Sequence, residues 1–339
     1  MEVVTDAVPV AAGDTSGAGE VRRRVARITG ALGFGETAAG RAALLATEAA
    51  TNLAKHARAG GTVYVRPCER GGVAGIELLA VDAGPGMADP SASLRDGHST
   101  AGSPGTGLGA LRRQSDEFEL FTLAGRGTVV LCRVWPEPPP AQAVPTLGVG
   151  AVCVAKAGQA VCGDAWASAE GPGRTIVMVA DGLGHGPDAA AASGEAARVF
   201  ALHSGETPAQ LLQRLHAALR GTRGAAVAIA EVSTAAGRVR YAGVGNISGA
   251  VLMPGRSQSM VSHNGIVGHE MRKVHEFEYP WVKAALLVMH SDGVNTRWDL
   301  DRYPGLYRRD PSVVAAVIHR DFCRGTDDAT VVAAREPAP

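Results

Sequence analysis

At 339 residues the chain is longer than one ordinary core supports, so two domains of roughly 130 to 200 residues are expected. Lys+Arg and Asp+Glu balance at 33 each, which leaves no net basic field to attract nucleic acid or an anionic membrane surface. With 46% hydrophobic and 19% charged residues, the composition excludes a disordered chain. Five scattered cysteines, Cys68, Cys132, Cys153, Cys162 and Cys323, form no C-x-x-C pair, which argues against both a zinc ribbon and a disulfide scaffold. The first twenty residues lack a basic stretch followed by an apolar one, and no window offers the ~18 apolar residues of a membrane span, so a soluble cytoplasmic protein is expected.

In chain order, the pattern predicts helices over 20–33 and 37–57, the second with Leu44, Leu45, Ala49 and Leu53 on one face. Strands are predicted over 62–66, 76–81, 118–123 and 128–134. Between them, 84–109 is rich in Gly, Ser, Asp and Pro and is expected to be mobile. The run Pro136-Glu137-Pro138-Pro139-Pro140, continuing to Pro145, sustains neither helix nor central strand and reads as a stiff linker over 136–146. The expected division is therefore 1–135, linker, and 147–339. Past the linker, strands are predicted over 148–156, 160–166 and 174–181, then helices over 187–203 and 207–220. Strands over 225–232, 238–244, 248–253 and 284–291, a helix over 311–321 and a strand over 329–334 complete a layered α+β pattern. No repeat relates the halves.

Glu48 and Asn52, in ATEAATNLAKHA, are four apart on a helical segment and share a face. Alone, such a pair is an ordinary exposed helix surface. It is followed, however, by Asp82-Ala83-Gly84-Pro85-Gly86 at a strand end and then by Gly105-Thr106-Gly107-Leu108-Gly109. In order and spacing the three elements resemble the N box and two glycine boxes of the GHKL ATPase fold, an α/β sandwich shared by histidine kinases, type II topoisomerases, chaperones and anti-sigma kinases. A carboxylate such as Asp82 can accept a hydrogen bond from the adenine amine, Gly84 and Gly86 let backbone approach the base, and the loop through Gly105, Gly107 and Gly109 can present N–H groups to phosphates. A dinucleotide fold fits poorly, because a polar segment precedes these glycines. The stretch DAGPGMADPSASLRDGHSTAGSPGTGLGALRRQSDEFEL is most similar to the small RsbT-like switch kinases. That resemblance implies ATP as cofactor, Asn52 as a Mg²⁺ ligand and Glu48 as the residue that orients or deprotonates an acceptor hydroxyl on a STAS-domain protein. Ser103-Pro104 departs from a glycine-rich lid, and Lys55 and His56 read as helix surface or core. A histidine kinase would need a phosphoacceptor helix upstream, which the twenty residues before the first helix do not supply.

In the second half four acidic signals follow one another: Gly163-Asp164-Ala165-Trp166, Asp181-Gly182-Leu183-Gly184-His185-Gly186, Ser291-Asp292-Gly293 and Asp327-Asp328-Ala329-Thr330. Each aspartate is at or beside a predicted strand end, and clustered carboxylates suit Mg²⁺ or Mn²⁺ rather than zinc. Singly, each motif is a turn. As an ordered set they resemble the PPM family of metal-dependent phosphatases, in its SpoIIE/RsbX-like branch, over nearly all of 147–335, with Gly243 to Ile247 adding to the likeness. The resemblance implies an αββα sandwich in which Asp181 bridges two Mn²⁺ or Mg²⁺ ions, Asp164 and the Gly182 carbonyl complete one, and Asp292 and Asp327 complete the other. Asp328 would give outer support. The implied reaction is attack of an activated water on phosphoserine or phosphothreonine. His290-Ser291-Asp292 is no hydrolase triad, since strand neighbours point to alternate faces. No arginine matches the phosphate-gripping residue of larger eukaryotic relatives, which leaves the metals to hold the substrate phosphate.

Together the two resemblances imply a partner-switching regulator acting on STAS-domain antagonists in sigma-factor or stressosome-type signalling. The alternative is a phosphatase whose first domain is a nucleotide-gated binding module without kinase activity.

Overall fold

Residues 5–94, 107–140, 145–271 and 273–337 are described by the structure, a computed structural model. Contacts divide the chain into two units: Thr5–Val144 with Leu300–Asp321, and Pro145–Asp299 with Phe322–Pro339.

In the first unit, β1 (Asp6–Val10), α1 (Gly17–Ala31) and α2 (Glu36–His56) precede a long hairpin of β2 (Gly61–Arg70) and β3 (Val73–Asp82). Gly71 and Gly72, at φ 60° and 80°, form its two-residue turn, a conformation that matches the twist of paired strands. The hairpin extends several residues beyond the apolar alternation at 62–66 and 76–81, because this turn pins Arg70 opposite Val73. After α3 (Pro90–Ser93) and α4 (Gly107–Gln114) come β4 (Glu117–Leu123) and β5 (Gly127–Val134), giving an antiparallel sheet in the order β1-β2-β3-β5-β4. One face buries Val63, Val65, Ile76, Leu78, Val130 and Val134 against Val21, Val25, Leu45 and Ala49 of the long helices.

The second unit opens with β6 (Gly148–Val154), β7 (Asp164–Gly171) and β8 (Arg174–Gly182), then α5 (Pro187–His203) and α6 (Pro208–Ala218). Thr207 and Gln210 close a reciprocal capping box at the start of α6. The strands β9 (Ala225–Ser233), β10 (Arg238–Val244), β11 (Ser248–Met253), β12 (Arg256–Met260), β13 (Phe277–Pro280) and β14 (Leu286–His290) follow. The last strand is β15 (Ala329–Arg335); the helix α7 (Pro311–Phe322), which precedes it in sequence, belongs up to Asp321 to the first unit. Two antiparallel sheets result, β13-β10-β9-β8-β7 and β12-β11-β14-β15-β6. Val177, Val179, Ala230, Tyr241, Val251, Leu287, Met289 and Val332 fill the core between them, while Phe200, Leu211 and Leu215 of α5 and α6 cover Ile176, Met178 and Ile229 on the outer face of the first. The sequence pattern placed a strand at 160–166, but β7 starts at Asp164; Gly158, at φ 84°, belongs to the turn that precedes it.

A cut at the proline run assigns Leu300–Asp321 to the second half by sequence, yet this segment packs with the first unit. It covers the other face of that unit's sheet. Arg133 there makes a two-pronged bond to Asp310 at 2.8 and 2.9 Å, Ser312 Oγ donates to Glu77 at 2.9 Å, and Tyr64 lies edge-on to His319. Within α7 the apolar run Val313 to Ile318 is fully buried.

Candidate active sites

In the first unit a cavity of about 240 Å³ opens between α2, α4 and the ends of β3 and β5. Asn52, Asp82, Gly86 and Gly107 line it, with Leu53, Leu108, Leu111 and Val130 as apolar wall and His56 from the end of α2. The Asn52 Nδ2 is buried without a hydrogen-bond partner, an atom that a ligand's acceptor would satisfy. Gly107 lies against this amide so closely that a Cβ would fall 2.6 Å from Asn52 Oδ1. Asp82 Oδ1 accepts from the Gly84 N–H at 2.7 Å; burial pushes this carboxyl up, opposed by N–H groups of Gly84 and Thr128 and by the charge of Arg320. Gly86, at φ 68°, has room for no side chain, since a Cβ would meet the Leu123 carbonyl at 2.3 Å.

Not every expected residue reaches the cavity. Glu48 is half-buried on α2, one turn before Asn52, and is not part of the lining. Gly84 serves by holding Asp82, and Gly109 is buried within α4. Gly105, with Ser103 and Pro104, lies outside the described residues. Sequence reasoning missed Thr128, which lines the cavity from directly opposite Asp82 in the β3–β5 register. Its signal was cross-strand, hence invisible in a linear pattern.

In the second unit the β7–β8 register sets Asp164 opposite Asp181. Gly182 donates to the Gly163 carbonyl at 3.0 Å, and a Cβ there would fall 2.1 Å from the Ala189 carbonyl, so α5 fixes this turn tightly. From the other sheet, Ser291 Oγ donates to Asp164 Oδ2 at 2.6 Å while accepting the Thr330 N–H at 2.9 Å. Asp292 accepts from Asn246 at 2.7 Å, Asp328 Oδ1 from the Lys156 N–H at 2.8 Å, and Asp327 from the Asp328 N–H at 3.0 Å. Ser291 and Asn246 were not foreseen as parts of the site. His290 is engaged elsewhere, with Trp298 donating to its Nε2 at 3.1 Å, so it does not serve as a base for Ser291.

These carboxylates act on one another. Burial first, then Asp328 and Asp292, push Asp164 upward; burial and the charges of Asp164, Asp292, Asp327 and Asp328 do the same to Asp181. Asp292 is raised by burial and by Asp327, with Arg324 opposing. Among the described residues no three Asp, Glu, His or Cys side chains are gathered into a single ligand shell. The donor chemistry nevertheless fits hard divalent cations: every candidate is a carboxylate or carbonyl oxygen, and Asp164 Oδ1 and Asp328 Oδ2 are buried without a hydrogen-bond partner.

Comparison with known proteins assigns both halves. Residues 12–134 match the histidine kinase-like ATPase domain, and residues 171–336 match stage II sporulation protein E (SpoIIE). The serine/threonine-protein kinase RsbT of Bacillus subtilis (strain 168) is 34% identical over 122 residues, spanning 36% of this chain and 89% of RsbT. A solved structure from the bacterial stressosome, described as a modular system adapted to control secondary messenger signaling, is 30% identical at a TM-score of 0.52, covering 56% of this chain and 99% of its own. RsbX in complex with magnesium shares the fold at 20% identity and a TM-score of 0.50, over 56% of this chain and 94% of RsbX.

Proposed function

Since this chain belongs to the RsbT-type histidine kinase-like ATPases through its first domain and carries a SpoIIE-type phosphatase domain in its second half, we propose that it both writes and erases phosphate on STAS-domain antagonist proteins. In this scheme ATP occupies the cavity of the first unit, with the adenine on Asp82, Gly84 and Gly86, the phosphates on Gly105, Gly107 and Gly109, and Mg²⁺ at Asn52. The unsatisfied Asn52 amide in the cavity wall supports this. Glu48 orients or deprotonates the acceptor hydroxyl.

The second unit removes the phosphate. Asp181 would be shared by two Mn²⁺ or Mg²⁺ ions, with Asp164 and the Gly182 carbonyl on one and Asp292 and Asp327 on the other. Such ions supply Lewis acidity to the phosphoryl group and ease deprotonation of the attacking water. The protein's own part is to hold the ligands: Ser291 fixes Asp164, Asn246 fixes Asp292, and the Lys156 amide fixes Asp328. The observation that carries this proposal is the cross-strand pair of buried Asp164 and half-buried Asp181, with Asp164 Oδ1 and the nearby Asp328 Oδ2 buried and left unpaired. A cytoplasmic setting and a sigma-factor or stressosome-type circuit complete the scheme; among the described residues no helix is long and apolar enough to cross a membrane.

The placement of Glu48 outside the cavity lining favours one second scheme, in which the first unit is a nucleotide-gated binding module and only the phosphatase is catalytic. Incubation with ATP, Mn²⁺ and STAS-domain proteins separates the two. Glu48→Ala is expected to abolish phosphate incorporation while ATP still binds, and Asp181→Ala to abolish phosphoserine hydrolysis. Unchanged incorporation in Glu48→Ala would leave the binding-module scheme standing, and persistent hydrolysis in Asp181→Ala would remove the metal site.

A further inference from the structure

The acidic site has a charge problem. Even two divalent cations would carry four positive charges against the five carboxylates of Asp164, Asp181, Asp292, Asp327 and Asp328, so a phosphoserine or phosphothreonine, itself an anion, meets no surplus of positive charge there. A cation at the rim would ease the approach. Linear motif matching finds none, because the residue that qualifies is brought in by a backbone bridge.

Cys323 pairs with Val294 in an isolated antiparallel bridge, the Asn295 N–H donates to the Phe322 carbonyl at 2.9 Å, and the Arg324 N–H donates to the Gly293 carbonyl at 2.8 Å. This short ladder sets Arg324 opposite Gly293, the residue that follows Asp292. The Arg324 side chain is exposed and makes no hydrogen bond or ion pair among the described residues. Asp292 does not capture it: one carboxylate oxygen is held by Asn246 at 2.7 Å. The other exposed guanidinium near the Asp181–Gly186 turn, Arg223, is tied to Asp188 at 2.6 Å. Arg324 is thus an uncommitted fork at the edge of the acidic cluster, and a guanidinium matches two phosphoryl oxygens at once.

We propose that Arg324 grips the phosphoryl group of the substrate beside Asp292 and sets phosphosubstrate affinity. This role rests on the phosphatase assignment above, and the test keeps the two apart. Steady-state hydrolysis of a phosphoserine peptide with Mn²⁺ gives KM and kcat, and product inhibition gives a Ki for inorganic phosphate. Binding of inorganic phosphate in the presence of Mg²⁺ is followed separately by calorimetry. Losing one charge-assisted contact is expected to raise KM and Ki in Arg324→Ala by about tenfold or more, with kcat changed far less, and to weaken phosphate binding in parallel. Arg324→Lys, which keeps the charge but not the fork, should recover part of the loss. The backbone N–H that anchors the ladder is untouched, so the melting temperature is expected to stay at the wild-type value. Unchanged KM, Ki and phosphate binding in Arg324→Ala would overturn the proposal, as would a loss confined to kcat. If the wild type lacks Mn²⁺-dependent hydrolysis, the phosphatase assignment fails, while calorimetry on wild type and Arg324→Ala still decides whether Arg324 binds phosphate.

Discussion

Asp164 is caught between two demands. As a candidate ligand it must keep a charge, yet burial pushes its carboxyl up, as do Asp328 and Asp292, against the hydroxyl of Ser291 that donates to it. Replacing it with Asn keeps an acceptor for Ser291 and removes the like-charge repulsion. In chelator, Asp164→Asn is therefore expected to melt higher than wild type, by about 1 to 2 kcal/mol of stability, while losing Mn²⁺-dependent hydrolysis. A lower melting temperature in chelator would contradict this account. The aspartates themselves were legible in the sequence, because each sits in a short contiguous motif. Ser291, Asn246 and Thr128 were not, because each acts on a residue far away in the chain and only strand pairing reveals the neighbour.

Among elements, the segment around α7 carries the most unusual electrostatics. Glu77 is fully enclosed; burial pushes its carboxyl up, but the guanidinium groups of Arg66 and Arg133 outweigh this and hold it at about 2. Its stabilisation is complete above the ordinary carboxylate range and fades as pH falls toward 2. His319 of α7 has the opposite character, with burial lowering its pKa to about 4. The folded state refuses a proton that the unfolded chain accepts below pH ~6.5, so stability falls as pH drops from about 6.5 to 4, by roughly 3 kcal/mol. Urea midpoints of the first unit measured between pH 8 and 4 should show this decline, and His319→Leu should flatten it. An identical slope in that variant would rule out His319 as the cause. Of the elements, the long helices and central strands followed from periodicity. The three strands that were missed, β1, β12 and β13, all lie at sheet edges. Their sequences are polar or contain Pro9 or Pro280, which an edge tolerates because only one side must pair.

For the whole molecule, the division into two units does not follow the chain. Residues 300–321 belong in space to the first unit, where they cover the sheet face bearing Tyr64, Arg66, Glu77 and Arg133. A fragment of residues 1–144 is therefore expected to aggregate or to melt well below the intact protein, and fusing residues 300–321 to its end through a flexible linker should restore a monomer that binds ATP. Size-exclusion chromatography and thermal melts provide the check, and a fragment as stable without the segment as with it would refute the packing. The sequence by itself determined the two families, the order of their motifs and most interior elements, because ligand-bearing turns and amphipathic periods are written within a few residues. The tertiary structure alone decided which carboxylates come together, that Ser291 ties one sheet to Asp164 on the other, that Arg324 is bridged to Gly293, and where residues 300–321 pack. Those outcomes depend on strands distant in sequence closing side by side, a constraint that no local window records.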